Sequence, residues 1–181
     1  MVVALAGRRI DATDAKSARF PSELAESVKK RLIDCLKSAN ATHLVCSAAC
    51  GADLLALQAA EELIIQKTVI LPFDAGTFRS TSVTDRPGDW GIIYDKIVRE
   101  LKGTEQFIAL NYDKEDHKVY EKTNLHILDH AQKIALEHSS GQPLALIVWE
   151  GKPKDADDTT YHFMQEAKKR GFLIKEINTF E

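Results

Sequence analysis

Short apolar runs alternate with amphipathic segments along the whole chain, and this alternation predicts an α/β protein. The apolar runs are continuous rather than alternating, which is typical of strands that are covered on both faces. Between them, apolar residues recur every three or four positions, as in helices that bury one face. The predicted strands are residues 2–6, 42–48, 68–73, 105–112, 143–151 and 172–177.

The predicted helices fill the intervals between these strands, except for one polar stretch. In the first helix Leu24, Val28, Leu32 and Leu36 recur at the helical period. Residues 74–89 are predicted to form a long polar loop. The pattern favours a single domain, 1–181, with a three-layer, doubly wound, mostly parallel sheet of about six strands, Rossmann-like, in the order 3-2-1-4-5-6. The five predicted helices are residues 20–40, 51–65, 88–103, 119–138 and 159–171.

Composition narrows the classes of protein that fit this fold. The 181 residues include 24 Lys and Arg against 27 Asp and Glu, a net charge of -3, which argues against a protein that coats nucleic acid. No apolar run reaches the ~18 residues that span a membrane. The first residues do not resemble a signal peptide, and three cysteines make no disulfide framework, so a cytoplasmic location is expected. Cys46 and Cys50 have no second pair of ligands, so no metal or cofactor is expected.

In doubly wound sheets, ligands bind beyond the carboxyl ends of the strands, near the point where the strand order reverses. The segments after the predicted strands are therefore the candidate site. In the first of them, Arg8 and Arg9 follow Gly7 at the end of a buried strand. An arginine there is a candidate phosphate clamp, because its planar guanidinium matches phosphate oxygens. We expect one of the two to face the ligand and the other to be solvated or paired.

The segment after the second strand consists of small residues and opens a helix. Ser47, Gly51 and Ala52 would let a ligand approach backbone N–H groups at the helix N-terminus, where the helix dipole favours an anion. The alternative is that small residues only permit close packing of strand and helix. Asp53, in the first turn, either stabilises the helix N-terminus or binds a ribose hydroxyl or an arginine. Its position is expected to favour the ionised carboxylate.

Two further loops carry candidate ligand-binding residues. Arg79 and Arg86 lie in the long loop 74–89, whose length favours a lid or a binding loop over a packed surface loop. After the fifth strand, the candidates either cap the last helix or form a second anion site. They are Glu150, Gly151, Asp158, Thr159 and Thr160.

Three of these segments together resemble the SLOG superfamily, the Rossmann-like nucleotide-binding group that includes the DNA-processing Smf/DprA proteins and the LOG phosphoribohydrolases. Residues 7–9 are similar to its G-x-R, residues 47–55 to its S-G-G-x-x-G-A-D-x-L, and residues 150–160 to a degenerate form of its glycine–threonine loop. The resemblance implies that the chain binds a nucleotide or a nucleotide-derived small molecule. Some members hydrolyse the N-glycosidic bond of nucleoside monophosphates, and others sense ligands beside effector domains, including in bacterial signalling and defence.

The chain departs from the enzyme pattern of that superfamily. LOG-type enzymes carry a catalytic glutamate three residues beyond the threonine of the late loop, where His162 or Phe163 stands here. We therefore expect ligand binding without turnover, with Gly51→Asp abolishing binding in a folded protein. The alternative is a nucleoside 5′-monophosphate hydrolase that uses another carboxylate, with Asp53 and Glu150 as the candidates.

A homodimer is also expected. The long helix at 119–138 has an apolar side, formed by Leu125, Leu128 and Ile134, that exceeds what one sheet face covers.

Overall fold

Six parallel strands form one sheet between two layers of helices, which confirms the predicted fold class. The structure, a computed structural model, describes residues 1–181. The sheet has the order β4-β3-β2-β1-β5-β6, and every neighbouring pair is parallel. The strands are β1 (Val2–Gly7), β2 (His43–Cys46), β3 (Gln66–Leu71), β4 (Phe107–Ala109), β5 (Leu144–Trp149) and β6 (Leu173–Asn178).

The helices pack on both faces because successive side chains of the buried strands point to opposite sides. On β1, Val3 and Leu5 join one core layer, while Val2 and Ala4 join the other. The first layer is completed by α1, α2 and α4, and the second by α5 and α6. The helices are α1 (Ala25–Ser38), α2 (Ala52–Glu62), α3 (Ala75–Ser82), α4 (Trp90–Leu101), α5 (Val119–Glu137) and α6 (Thr159–Lys169).

The predicted strand order was wrong at one position. The fourth strand does not lie beside β1 but pairs with β3 at the edge of the sheet, and β5 takes the place beside β1. Burial explains the exchange, since all six residues of β5 are buried whereas the three residues of β4 are only partly covered. The point at which the chain reverses direction across the sheet therefore lies between β1 and β5.

Residues 74–89 were predicted to be a loop, but the structure forms α3 within them. Asp74 caps this helix, accepting hydrogen bonds from the backbone N–H groups of Gly76 (2.9 Å) and Thr77 (3.0 Å). Glycine, threonine and serine are poor helix formers, so the helix propensity of this segment did not predict α3, which the Asp74 cap stabilises. Only residues 83–89 remain as a loop, anchored where Trp90 donates to the carbonyl of Pro87 at 2.9 Å.

The apolar side of α5 packs inside the protein. Leu128 and Ile134 are buried in the core layer under the sheet, and Leu125 is half-buried. The surplus apolar face from which the homodimer was predicted is thus used within the chain, and the homodimer stays a prediction. None of the helices has the combination of length and apolar character needed to cross a membrane.

Candidate functional site

A cleft of about 250 Å³ lies at the carboxyl end of β1, beside the point where the strand order reverses. Six of the sequence-predicted residues or their backbones form part of its wall. They come from the end of β1, from the loops after β1 and β2, and from the first turns of α2 and α6. These six are Gly7, Arg9, Ser47, Asp53, Thr159 and Thr160.

Sequence reasoning missed the residues that cover this cleft. They belong to the first turns of α5 and the end of α3. The hydroxyl groups of Ser82 and Tyr120 form a hydrogen bond of 3.2 Å there. Asn124 extends the cover by donating to the carbonyl of Thr159 at 3.1 Å. A signal was present, because Tyr120, Thr123 and Asn124 are spaced to share one face of a helix that is otherwise apolar there. The remaining lining residues are Leu5, Ala6, Ala49, Phe78 and Ile127.

A second, basic groove of about 510 Å³ adjoins the cleft. The two spaces share Gly7, Arg9, Thr159 and Thr160, so Arg9 and the start of α6 stand at their junction. The groove carries one acidic lining residue, Asp11, against six cationic ones. The cations are Arg8, Arg9, Lys16, Arg19, Arg86 and Lys154.

Asp53 is the carboxyl group that faces the cleft. It is 8% exposed and accepts a hydrogen bond from the backbone N–H of Ala49 at 3.1 Å. Burial raises its pKa from 3.8 to about 7, and the Ala49 N–H and the charge of Arg9 oppose that rise only in part. Desolvation therefore works against the ionised form of Asp53 that its position in the first turn was expected to favour. A carboxyl group with this pKa is able to take up and release a proton near neutral pH.

Asp53→Asn should change how stability depends on pH. Because the folded-state pKa of Asp53 is raised, the native protein binds a proton that the unfolded chain has lost, and stability falls as pH rises from about 4 to about 7. Asparagine keeps the shape and the acceptor oxygen without this titration. We expect the free energy of unfolding of the variant, relative to wild type, to increase between pH 5 and pH 8. Urea unfolding at both values measures the difference, and parallel pH profiles would contradict the assignment.

Arg8, which lines the basic groove, is engaged in a buried ionic network. Its Nε donates to Glu150 at 2.6 Å, and its Nη1 donates to Asp158 at 2.8 Å. Glu150 also accepts a hydrogen bond from Arg19. The side chains of Arg8, Glu150 and Asp158 are 10%, 3% and 0% exposed. Neither carboxylate lines the cleft, so Glu150 is not placed to act on a ligand there.

Asp158 also binds backbone N–H groups at the start of α6. Its side chain accepts the backbone N–H of Tyr161 at 2.9 Å and that of Lys154 at 2.6 Å. Burial alone would raise the pKa of Asp158, but the bonds from Arg8 and from these N–H groups outweigh it and lower the pKa. Asp158 thus caps α6, which was one of the two roles predicted for the residues after the fifth strand.

The small residues before α2 serve the packing of strand and helix. The N–H of Ala52 donates to the carbonyl of Arg8 at 3.0 Å, and that of Cys50 to the carbonyl of Ser82 at 3.0 Å. Gly51 has φ +99°, and a Cβ there would lie 2.7 Å from the Arg8 carbonyl oxygen. Neither Gly51 nor Ala52 lines the cleft or the groove. The N–H groups of Cys50 and Ala52, which lie in the segment expected to meet an anion, are therefore bonded within the protein.

Of three further candidate residues, one lines the basic groove and two line neither space. Arg79 pairs with Asp95 through bonds of 2.8 and 2.9 Å and lines neither space. Arg86 lines the basic groove, and its role in ligand binding stays a prediction. Gly151 is exposed and forms the turn after β5 with φ +86°.

No cluster of three metal-ligating side chains is present, and the three cysteines are free and buried. Neither the scan of protein-family models nor the search of curated proteins gives a match to this chain. The motifs of residues 7–9, 47–55 and 150–160 thus remain the ground for the resemblance stated above.

Proposed function

We propose that this chain is a binding module for a nucleotide or a nucleotide-derived ligand. The observation that carries the proposal is the junction at Arg9, where a largely uncharged cleft opens into a groove lined by cations. Such a division suits a ligand with an uncharged base and sugar at one end and phosphate at the other. Together the two spaces reach the size range of small-molecule sites, about 300–1,000 Å³.

The residues at the junction supply the contacts that such a ligand needs. Thr159 and Thr160 occupy the first turn of α6, where backbone N–H groups have no partner within the helix. The dipole of α6 favours an anion at the same point. In the cleft, the apolar walls of Phe78 and Ile127 suit a base, and the hydroxyl of Ser47 suits a sugar. Binding without turnover would make the chain a ligand sensor, the role that the resemblance implies for members beside effector domains.

Arg9→Gln tests this proposal directly. We expect the variant to bind the 5′-monophosphate of the preferred nucleoside at least about tenfold more weakly, because a charge-assisted contact to phosphate is lost. Calorimetric titration, after thermal-shift screening of the four ribonucleoside 5′-monophosphates, gives the affinities. Arg79→Gln is the matched control, since Arg79 lies outside both spaces, and it should bind as wild type does. Equal affinities for all three proteins would contradict the placement of phosphate at Arg9.

A second candidate function is hydrolysis of a nucleoside 5′-monophosphate, and the pKa of about 7 at Asp53 favours it. In its protonated form Asp53 is able to donate a proton to a leaving base as the N-glycosidic bond breaks. Water adds its hydroxyl to the sugar carbon, and the remaining proton of that water restores Asp53. Incubation with nucleoside monophosphates and an assay for free base distinguishes this reaction from binding. Base release that Asp53→Asn abolishes, with binding retained, would replace the sensor proposal.

A further inference from the structure

Two arginines of the basic groove share one carboxylate. Both oxygens of Asp85 accept hydrogen bonds from Nη2 of Arg9, and Oδ2 of Asp85 lies 3.9 Å from Nε of Arg86. The Nε atoms of Arg9 and Arg86 are buried, and neither has a hydrogen-bond acceptor. The two guanidinium groups therefore offer more donors than this single carboxylate uses.

The contact of Asp85 differs from the ionic network of Arg8. The side chains of Arg9 and Asp85 are each 30% exposed, and that of Arg86 is 29% exposed. Ion pairs that solvent reaches to this extent contribute little to stability. Separating Asp85 from Arg9 is therefore expected to cost little.

We propose that Arg9 and Arg86 form a subsite for the phosphoryl group of the ligand, and that Asp85 occupies this subsite in the free protein as an internal competitor. The choice of a phosphoryl group rests on the proposed nucleotide binding, whereas the subsite itself rests on the contacts of the two arginines. A carboxylate and a phosphate both present paired oxygens to a planar guanidinium. Asp85 thus makes the type of contact that a phosphoryl group would make.

The position of Asp85 along the chain allows this exchange. It lies in the seven-residue loop 83–89 between α3 and α4, so its movement requires no change in the sheet. A phosphomonoester carries a charge of about −1.5 to −2 at pH 7 and competes well with a single carboxylate. While Asp85 holds Arg9, only a fraction of molecules presents a free subsite, and the apparent affinity for phosphate is lowered by that fraction.

The test is Asp85→Asn, which removes the competing charge and keeps the size of the side chain. Inorganic phosphate, a nucleoside 5′-monophosphate and the matching nucleoside are titrated calorimetrically onto wild type and variant. We expect both phosphate-bearing probes to bind about fivefold more tightly to the variant, the effect of about 1 kcal/mol, with the nucleoside unchanged. Asp95→Asn is the control, because it removes a similar exposed carboxylate from Arg79, and it should match wild type.

Asp85→Glu and Asp85→Ala complete the series and guard against a variant that does not fold. Glutamate keeps a competing carboxylate and should bind as wild type does, whereas alanine should repeat the gain. If phosphate and nucleotide affinities are the same in all folded variants, the subsite proposal is overturned while nucleotide binding stands. If no nucleotide binds but inorganic phosphate binds more tightly to Asp85→Asn, the subsite stands and the proposed function fails.

Discussion

Replacing Arg8 with alanine is expected to destabilise the protein by about 3–5 kcal/mol, the usual effect of removing one partner of a buried ion pair. The variant would leave the carboxylates of Glu150 and Asp158, 3% and 0% exposed, without their shared cation. Arg19 remains beside Glu150, but no other arginine bonds to Asp158. The segments after β1 and β5 and the start of α6 would lose this side-chain link, so the effect should extend to the cleft.

Urea unfolding of wild type and Arg8→Ala gives this difference. The matched control is Arg79→Ala, because Arg79 also forms a two-bond pair with an aspartate but is 41% exposed. The control should be close to wild type, because exposed ion pairs contribute little to stability. Similar losses in the two variants would show that the network around Arg8 is not the special stabilising feature described above.

Gly51→Ala is expected to cost about 3 kcal/mol, made up of an unfavourable backbone conformation and overpacking. The residue has φ +99°, and an added Cβ would lie 2.7 Å from the carbonyl oxygen of Arg8 and 2.8 Å from the nitrogen of Ile10. These are backbone atoms of the segment after β1, which also accepts the Ala52 N–H, so they have little freedom to move.

Gly103→Ala is the control for Gly51→Ala. Gly103 also has a positive φ, +90°, but nothing lies within 4 Å of the Cβ that alanine would add. Its cost should be limited to the conformational part, about 1–2 kcal/mol. Thermal or urea unfolding of both variants separates strain from crowding, and equal losses would refute the close approach at Gly51. For the same reason, Gly51→Asp is now expected to disrupt folding, and it does not test binding in a folded protein as the sequence suggested.

The fold class could be predicted from the sequence because it follows from patterns within single segments. Strand and helix periods are readable within each segment, and five of the six helices followed from them. The strand order could not be predicted in this way, since the local sequence of β4 and β5 does not indicate which of them pairs with β1. Only their burial after folding decides it, with β5 fully covered and β4 partly so.

The candidate site was predictable to the extent that it follows the strand ends. The rule for doubly wound sheets led to Gly7, Arg9, Ser47 and Thr160, all of which line the cleft. It did not distinguish Arg8 from Arg9, because Arg8 pairs with Glu150 and Arg9 with Asp85, and both carboxylates are brought from far along the chain. The cover formed by α5 was missed for the same reason, as it depends on where that helix crosses the sheet.

The pairing of β1 with β5 has a consequence for how the molecule folds. Gly7 stands opposite Val148, so this contact inside the sheet joins segments about 140 residues apart in the chain. Such long-range contacts form late and slow the folding reaction. During synthesis, one edge of β1 stays unpaired until β5 has been made, and an unpaired apolar edge is prone to association with other chains. The cleft beside β1 cannot exist before that step, so it should be among the last features of the protein to form.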